Sequence, residues 1–106
     1  ILFSGILVAQ EKSPELEAVG NKVKATYYHE NGKVQQEGFF VDGKLDGVWV
    51  AYDEKGNKTA VAEYTEGVKT GKWMYFNDKT INQVAYADNK VESVKNLQKD
   101  ALADRN

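Results

Sequence analysis

The segment Gly43–Tyr52 reads GKLDGVWVAY, and the segment Gly67–Phe76 reads GVKTGKWMYF. Each carries glycine, three residues, glycine, one residue, tryptophan. Working outward, Tyr28, Tyr52 and Phe76 stand 24 residues apart, as do Trp49 and Trp73, Gly47 and Gly71, Gly43 and Gly67, and Gly32 and Gly56. A second aromatic follows the first after 12, 12 and 10 residues, at Phe40, Tyr64 and Tyr86. The short last gap predicts a turn that has lost two residues. Asn89 stands where Gly43 and Gly67 stood, and Asn tolerates positive φ well for a residue with a side chain. A worn copy follows: DNKVESVKNL from Asp88 lies over DGKLDGVWVA from Asp42, with Ser93 for the second glycine and Lys95 for the tryptophan. A period of this length with a faded last copy points to stacked units ending in a cap.

VWVAY and KWMYF are rich in β-branched and aromatic residues, as strands are. HENG and DEKGN between strands are turn chemistry, with glycine supplying positive φ. VDGKLDG and TEGVKTG read as longer turns with two glycines each. The predicted fold is therefore all-β: a single-layer twisted antiparallel β-meander of six or seven strands, built from hairpin units of about 24 residues, with a short polar C-terminal tail or helix. Pro14, the lone proline, precedes the array and removes no ladder donor. The chain divides into residues 1–10, a linker at 11–22, the array at 23–98 and a polar tail at 99–106. Val91, Val94, Leu97, Ala101 and Leu102 also fit helical spacing. A short strand around Val94–Leu97 is the preferred reading.

Alternation sets Trp49 and Ala51 on one face and Val48, Val50 and Tyr52 on the other. Trp73 and Tyr75 match the first set, Met74 and Phe76 the second. Because the period is even, each copy keeps its face. The intervening strand offers Ala60 and Ala62 to one face and Thr59 and Val61 to the other. Trp49 and Trp73 then lie roughly 10 Å apart, two strand spacings.

These residues resemble a MORN-type repeat, in the bacterial variant of the YwqK-type family. The resemblance spans roughly Ala25 to Tyr86 and weakly reaches Leu97. It implies a scaffold for protein contacts, and in some members contact with lipid head groups. The family also carries an antitoxin label, and some envelope members carry a nicotinate mononucleotide adenylyltransferase name that the repeats do not justify. The short third unit and the loss of tryptophan at Lys95 depart from the pattern. The repeat-defining positions are Gly32, Gly43, Gly47, Gly56, Gly67, Gly71, Tyr28, Tyr52 and Phe76.

Bulk properties narrow the function classes. The 106 residues suit one domain. With 14 basic and 16 acidic residues the formal charge is −2, which argues against a nucleic-acid partner. The lysines are scattered, so there is no polybasic membrane patch. Without cysteine there is no disulfide framework, thiolate zinc site or thiol nucleophile. The first ten residues, ILFSGILVAQ, are uncharged and too few to cross a bilayer as a helix. Followed abruptly by EKSPELEAVGNK, they read as the h-region of a secretory signal cut after Ala9 or Gln10, which predicts a periplasmic or secreted protein. An apolar first strand is the structural alternative, and a cytoplasmic location the runner-up.

Enzyme chemistry finds no purchase in the motifs. No GxGxxG or Walker sequence is present, and none would be dispensable to a nucleotidyl transferase that cradles phosphate in this way. His29, the only histidine, reads as a solvated turn residue rather than a general base, having no nucleophile beside it. Asp42, Asp46, Gly47 and Asp53 sit near calcium-loop offsets, but Lys44 takes a ligand position and strand follows. They read as solvated turn charge, with Glu54 and Glu66. No metal or cofactor is expected.

One surface remains to be weighed. Tyr27, Trp49, Trp73 and Tyr75 share a face, and Trp and Tyr are anchors of protein interfaces. The same four also suit the core of a small sheet, as do Phe40, Tyr52, Tyr64 and Phe76. The expected function is a non-catalytic exported scaffold that binds a protein partner through this aromatic face. The alternatives are a toxin-neutralising partner and a lipid or glycan contact module. The two edge strands of an open array are a route to a homodimer.

Overall fold

The computed structural model describes residues 13–98. Every strand is antiparallel to its neighbours in one sheet. The strands are β1 (Glu15–Val19), β2 (Lys22–Tyr28), β3 (Val34–Val41), β4 (Lys44–Tyr52), β5 (Lys58–Thr65), β6 (Val68–Lys69), β7 (Gly71–Phe76), β8 (Thr80–Ala87) and β9 (Lys90–Gln98). Their spatial order is their chain order, with β6 and β7 both beside β5. These two are successive pieces of one strand, parted at Thr70, whose N–H donates to Glu63 O at 3.0 Å. Among the described residues the sheet thus has eight positions. Among the described residues there is no helix, and so none long and apolar enough to cross a membrane.

Two stretches differ from the sequence reading. Glu15–Val19, inside the expected linker, pairs with β2 from Glu15–Thr26 to Val19–Lys22. The expected short strand at Val94–Leu97 extends over Lys90–Gln98 and pairs along β8, so residues 90–98 are not helical. Pairing with a ready-made edge overrides the weak helical spacing of Val91, Val94 and Leu97. The signal segment at 1–10 and the tail at 99–106 lie outside the described residues.

Turn chemistry sets the register. Asp42–Gly43, Glu66–Gly67 and Asp88–Asn89 each have positive φ at both positions (51° and 77°, 50° and 82°, 56° and 69°). That is the requirement of a two-residue type I′ hairpin. Gly20–Asn21 joins β1 to β2 as another two-residue turn, with positive φ at Gly20 alone (62°), while Gly47 lies within β4 and Gly71 opens β7, so neither belongs to a long turn as expected. Two further turns close as five-residue loops. His29 N donates to Lys33 O at 2.8 Å and Asp53 N to Asn57 O at 2.8 Å, while the third loop spans only Asn77–Lys79, closing from Asn77 N to Thr80 O at 3.1 Å. The two-residue loss read from the sequence is there.

Asn89 does more than replace a glycine. Its N–H donates to Lys69 O at 3.0 Å, as Gly67 N does to Leu45 O at 2.8 Å. Its side-chain Oδ1 also accepts from Lys69 N at 2.8 Å. We expect Asn89→Ala to lose about 2 kcal/mol through left-handed strain and the missing bond. Asn89→Gly keeps the φ and should lose about half of that. Urea unfolding of both variants checks the split.

Glycine and tryptophan meet at two wide irregularities. Between the pairs Phe39–Asp46 and Glu37–Val50, β3 advances two residues and β4 four. Between Tyr64–Lys69 and Val61–Met74, β5 advances three and the facing chain five. Gly47 (φ 76°) and Gly71 (φ 69°) sit in these excursions, where left-handed backbone favours glycine. Each excursion carries an indole over the facing strand. Trp49 Nε1 donates to Phe39 O and Trp73 Nε1 to Glu63 O, both at 3.0 Å. Where Lys95 stands for tryptophan, the irregularity between β8 and β9 shrinks: β8 advances one residue from Tyr86–Val91 to Ala85–Ser93 and β9 two.

Candidate functional site

The two faces have different fates. Tyr27, Trp49 and Trp73 are buried, Trp49 being 1% and Trp73 0% exposed, and Tyr75 is half-buried against them. The face expected to bind a partner is therefore the protein's own core. The cause is the floor beneath the rings. Ala25, Ala51, Ala60 and Ala62 are buried around them, and Gly38 lies directly under the Trp49 indole. Large flat rings on small residues can lie along a sheet and bury themselves without a second layer.

The rings also cover one another. Trp49 meets Phe40 edge-on at 5.1 Å and Tyr27 at 6.4 Å. Trp73 meets Tyr64 edge-on at 5.1 Å, Tyr86 at 5.0 Å and Tyr75 at 6.4 Å. These are favoured quadrupole geometries. Lys69 Nζ stands 5.2 Å from both the Trp73 and Tyr86 rings, within cation–π range. Gln36 is buried among these groups with its Oε1 lacking a hydrogen-bond partner.

Phe40, Tyr52, Tyr64 and Phe76, read together as core, separate. Tyr64 is buried and Phe40 packs on the core. Tyr52 and Phe76 are half-buried on the opposite face. Across that face Val50 pairs with Val61 and Val61 with Met74, making a half-buried apolar row over three adjacent strand positions. Val48 on the same face is 52% exposed. Tyr52 Oη donates to Glu37 Oε2 at 3.0 Å beside the row. Sequence alternation had placed Val48, Val50 and Met74 here. It did not mark them as the open surface, because parity does not say which face closes. The signal that does is the clustering of Ala and Gly opposite tryptophan.

The acidic residues serve turns. Asp53 Oδ1 accepts from Lys55 N and Asn57 N, both at 2.9 Å, and these bonds, led by the Asn57 amide, hold its carboxyl below the usual range. Asp46 Oδ1 accepts from Glu66 N at 3.3 Å. Asp46 and Asp53 lie towards opposite ends of β4, so the calcium-like offsets do not converge. Among the described residues no three His, Cys, Asp or Glu side chains gather where a metal could bind. Among the described residues, shallow depressions lie at the turns. One of about 510 Å³ is bordered by Lys44, Glu66, Thr70 and Asp88, and one of about 280 Å³ by Asp53, Asn57, Phe76 and Asp78.

His29 is not merely solvated. Its Nε2 lies 2.9 Å from Tyr52 O, and a carbonyl only accepts, so Nε2 carries the proton in this bond. With Asn31 Nδ2 donating to Glu54 O at 2.8 Å and Lys33 Nζ to Lys55 O at 3.3 Å, it stacks the first five-residue loop on the second.

Two tyrosines report on the closed face. Burial first, then the neighbouring phenols, pushes Tyr64 and Tyr75 up to about 12. The folded value exceeds the ordinary value near 10, so the folded chain holds these protons more tightly. Their contribution to stability is whole below pH 10 and is lost as pH rises towards 12. An absorbance titration at 295 nm (a standard phenolate wavelength) should show late tyrosine ionisation that coincides with loss of near-UV circular dichroism.

Compared with protein-family models, with curated proteins and with solved structures, the chain matches none.

Proposed function

We propose that this chain is a MORN-type repeat protein that acts as a non-catalytic scaffold, docking a protein partner on the face opposite the tryptophans. The observation that carries the reading is the half-buried row Val50, Val61 and Met74, with Val48 exposed beside it. A face with an aliphatic centre that includes Met74, bordered by Tyr52 and Glu37, has the layout of a protein interface, with an apolar centre and a polar, charged rim. The repeat part is supported by the tryptophan bonds to Phe39 O and Glu63 O, and by the positive-φ pairs Asp42–Gly43 and Glu66–Gly67, both at 24-residue spacing. An envelope location belongs to the proposal on the strength of the apolar first ten residues alone.

The test is to replace Val50 and Met74 singly by glutamate in the full chain. Capture by the wild-type chain from separated envelope and cytoplasmic fractions is then compared with capture by each variant. The reading requires one stoichiometric protein lost from both variants while their circular dichroism stays native. Equal capture by wild type and variants sinks it, and a partner found only in the cytoplasm overturns the location and favours the toxin-neutralising alternative.

A further inference from the structure

Among the described residues the sheet ends in two unlike edges, β1 and β9, and their differences match. Both are exposed along nearly their whole length. An unpaired edge presents a row of free backbone donors and acceptors to any strand that fits. Proteins blunt such edges with proline, short strands or charge. Here β9 has nine residues, and neither edge strand contains proline.

On the tryptophan face each edge carries exposed apolar residues, with Asn96 and Gln98 following them on β9. Leu16 pairs with the buried Ala25, and Val94 pairs with Val84, which pairs with Trp73. Leu16 is 60% and Val94 65% exposed, so the core runs out at both ends half-covered. On the other face the edges carry opposite charge. Glu15 pairs with Thr26 and Glu17 with Lys24 on β1's side. Lys90 pairs with Ala87 and Lys95 with Gln83 on β9's side, with Glu92 left in the irregularity. Glu15 is held in place by the Tyr28 hydroxyl, which donates to it at 2.7 Å.

Topology fixes the direction. Eight positions in alternating sense make β1 and β9 antiparallel to each other. A second copy, in the same orientation and on the same face, can therefore set its β1 beside β9 as the next antiparallel strand. Setting Leu16 opposite Val94 puts Glu15 opposite Lys95. Opposite charges directly across a strand pair stabilise it, and like charges destabilise it. With Leu16 opposite Leu16, symmetric pairing of two β1 edges would face Glu15 with Glu17, and with Val94 opposite Val94, symmetric pairing of two β9 edges would face Lys95 with Ser93 and gain no opposite-charge pair.

We infer that copies of this chain associate head to tail, the β9 edge of one taking the β1 edge of the next so that the sheet and its apolar face continue. Such a contact is heterologous and builds a ring or an open filament rather than a closed twofold dimer. It uses the sheet's edges, so it stands apart from the docking face proposed above.

The chain has no cysteine, which makes single-cysteine trapping clean. Leu16→Cys and Val94→Cys are made in the full chain and oxidised alone and mixed. The expected result is a disulfide dimer in the mixture and monomer in each variant alone. Sedimentation velocity of the wild type should show association that weakens with salt, since surface charge pairs are screened. Lys95→Glu should weaken it about five-fold, and mixing Lys95→Glu with Glu15→Lys should restore pairing between the two. A Val94→Cys homodimer as the main product overturns the head-to-tail arrangement in favour of a twofold one. A wild type that stays monomeric at low salt into the hundred-micromolar range, with no mixed disulfide, overturns edge association altogether.

Discussion

Gly38→Ala is expected to destabilise the fold by about 3 kcal/mol, although alanine is ordinarily the milder residue in a strand. Gly38 does not have a positive φ, so backbone freedom is not what the position requires. Its requirement is space. A methyl built there would stand under 3.0 Å from Cγ, Cδ2 and Cε2 of Trp49. The indole cannot retreat easily, because its Nε1 donates to Phe39 O at 3.0 Å and its far side meets Phe40 at 5.1 Å. Either the ring leaves its bond or the strand shifts. The control is Gly43→Ala, where a methyl meets nothing within 4 Å but φ is +77°. That variant should cost only the left-handed strain, about 1–2 kcal/mol. Urea unfolding of both variants measures the difference. A double-mutant cycle with Trp49→Leu locates it: the cost of Gly38→Ala should fall sharply once the ring is gone. If Gly38→Ala is as mild as a surface substitution, the indole does not lie on the strand and the burial of this face is wrongly understood.

That result bears on how much could be read from the sequence. The meander, the placing of Trp49 with Ala51 and of Ala60 with Ala62, and the shortened third turn all follow from period-two alternation and turn residues. The structure has them as read. The closing of the tryptophan face did not follow. It depends on Gly38 and Ala25, which lie far along the chain from Trp49 and become its floor only when β2, β3 and β4 are in register. The role of Gly47 was also hidden. Its glycine signal is that of a turn, while its place within β4 is that of an excursion that carries an indole across. β1 was missed because ELEAV, with two glutamates in five residues, is a poor strand in isolation. It becomes one only where β2 presents an open edge. The open face was legible as a pattern and not as a surface: Val50, Val61 and Met74 are ordinary strand residues until the other face is known to be closed.

Trp73→Ala should have the largest effect of any single side chain in this protein, about 4 kcal/mol. Trp73 is 0% exposed and lies against Tyr64, Tyr75 and Tyr86, with Lys69 over its ring. Its Nε1 donates to Glu63 O at 3.0 Å and lies 3.2 Å from Thr70 O, so one ring ties β5 to the break between β6 and β7. Removing it opens a cavity that three tyrosines line. Their rings are too tightly placed in the sheet register to collapse into it, and incomplete collapse is what makes such substitutions expensive. A domain of this size has about 5–15 kcal/mol of stability in all, so the loss should lower the urea midpoint severely or leave the chain partly unfolded at 37 °C. Trp73→Phe separates the causes: it keeps most of the apolar contact, loses the indole donor, and should cost about 2 kcal/mol. Trp49 fluorescence follows unfolding in both variants. The functional choice rests on the same number. A Trp73→Ala chain with unchanged stability and lost partner binding would mean the tryptophans are an interface after all. A chain that loses its fold, beside a folded Met74→Glu chain that loses only its partner, assigns the tryptophans to the core and the contact to the opposite face.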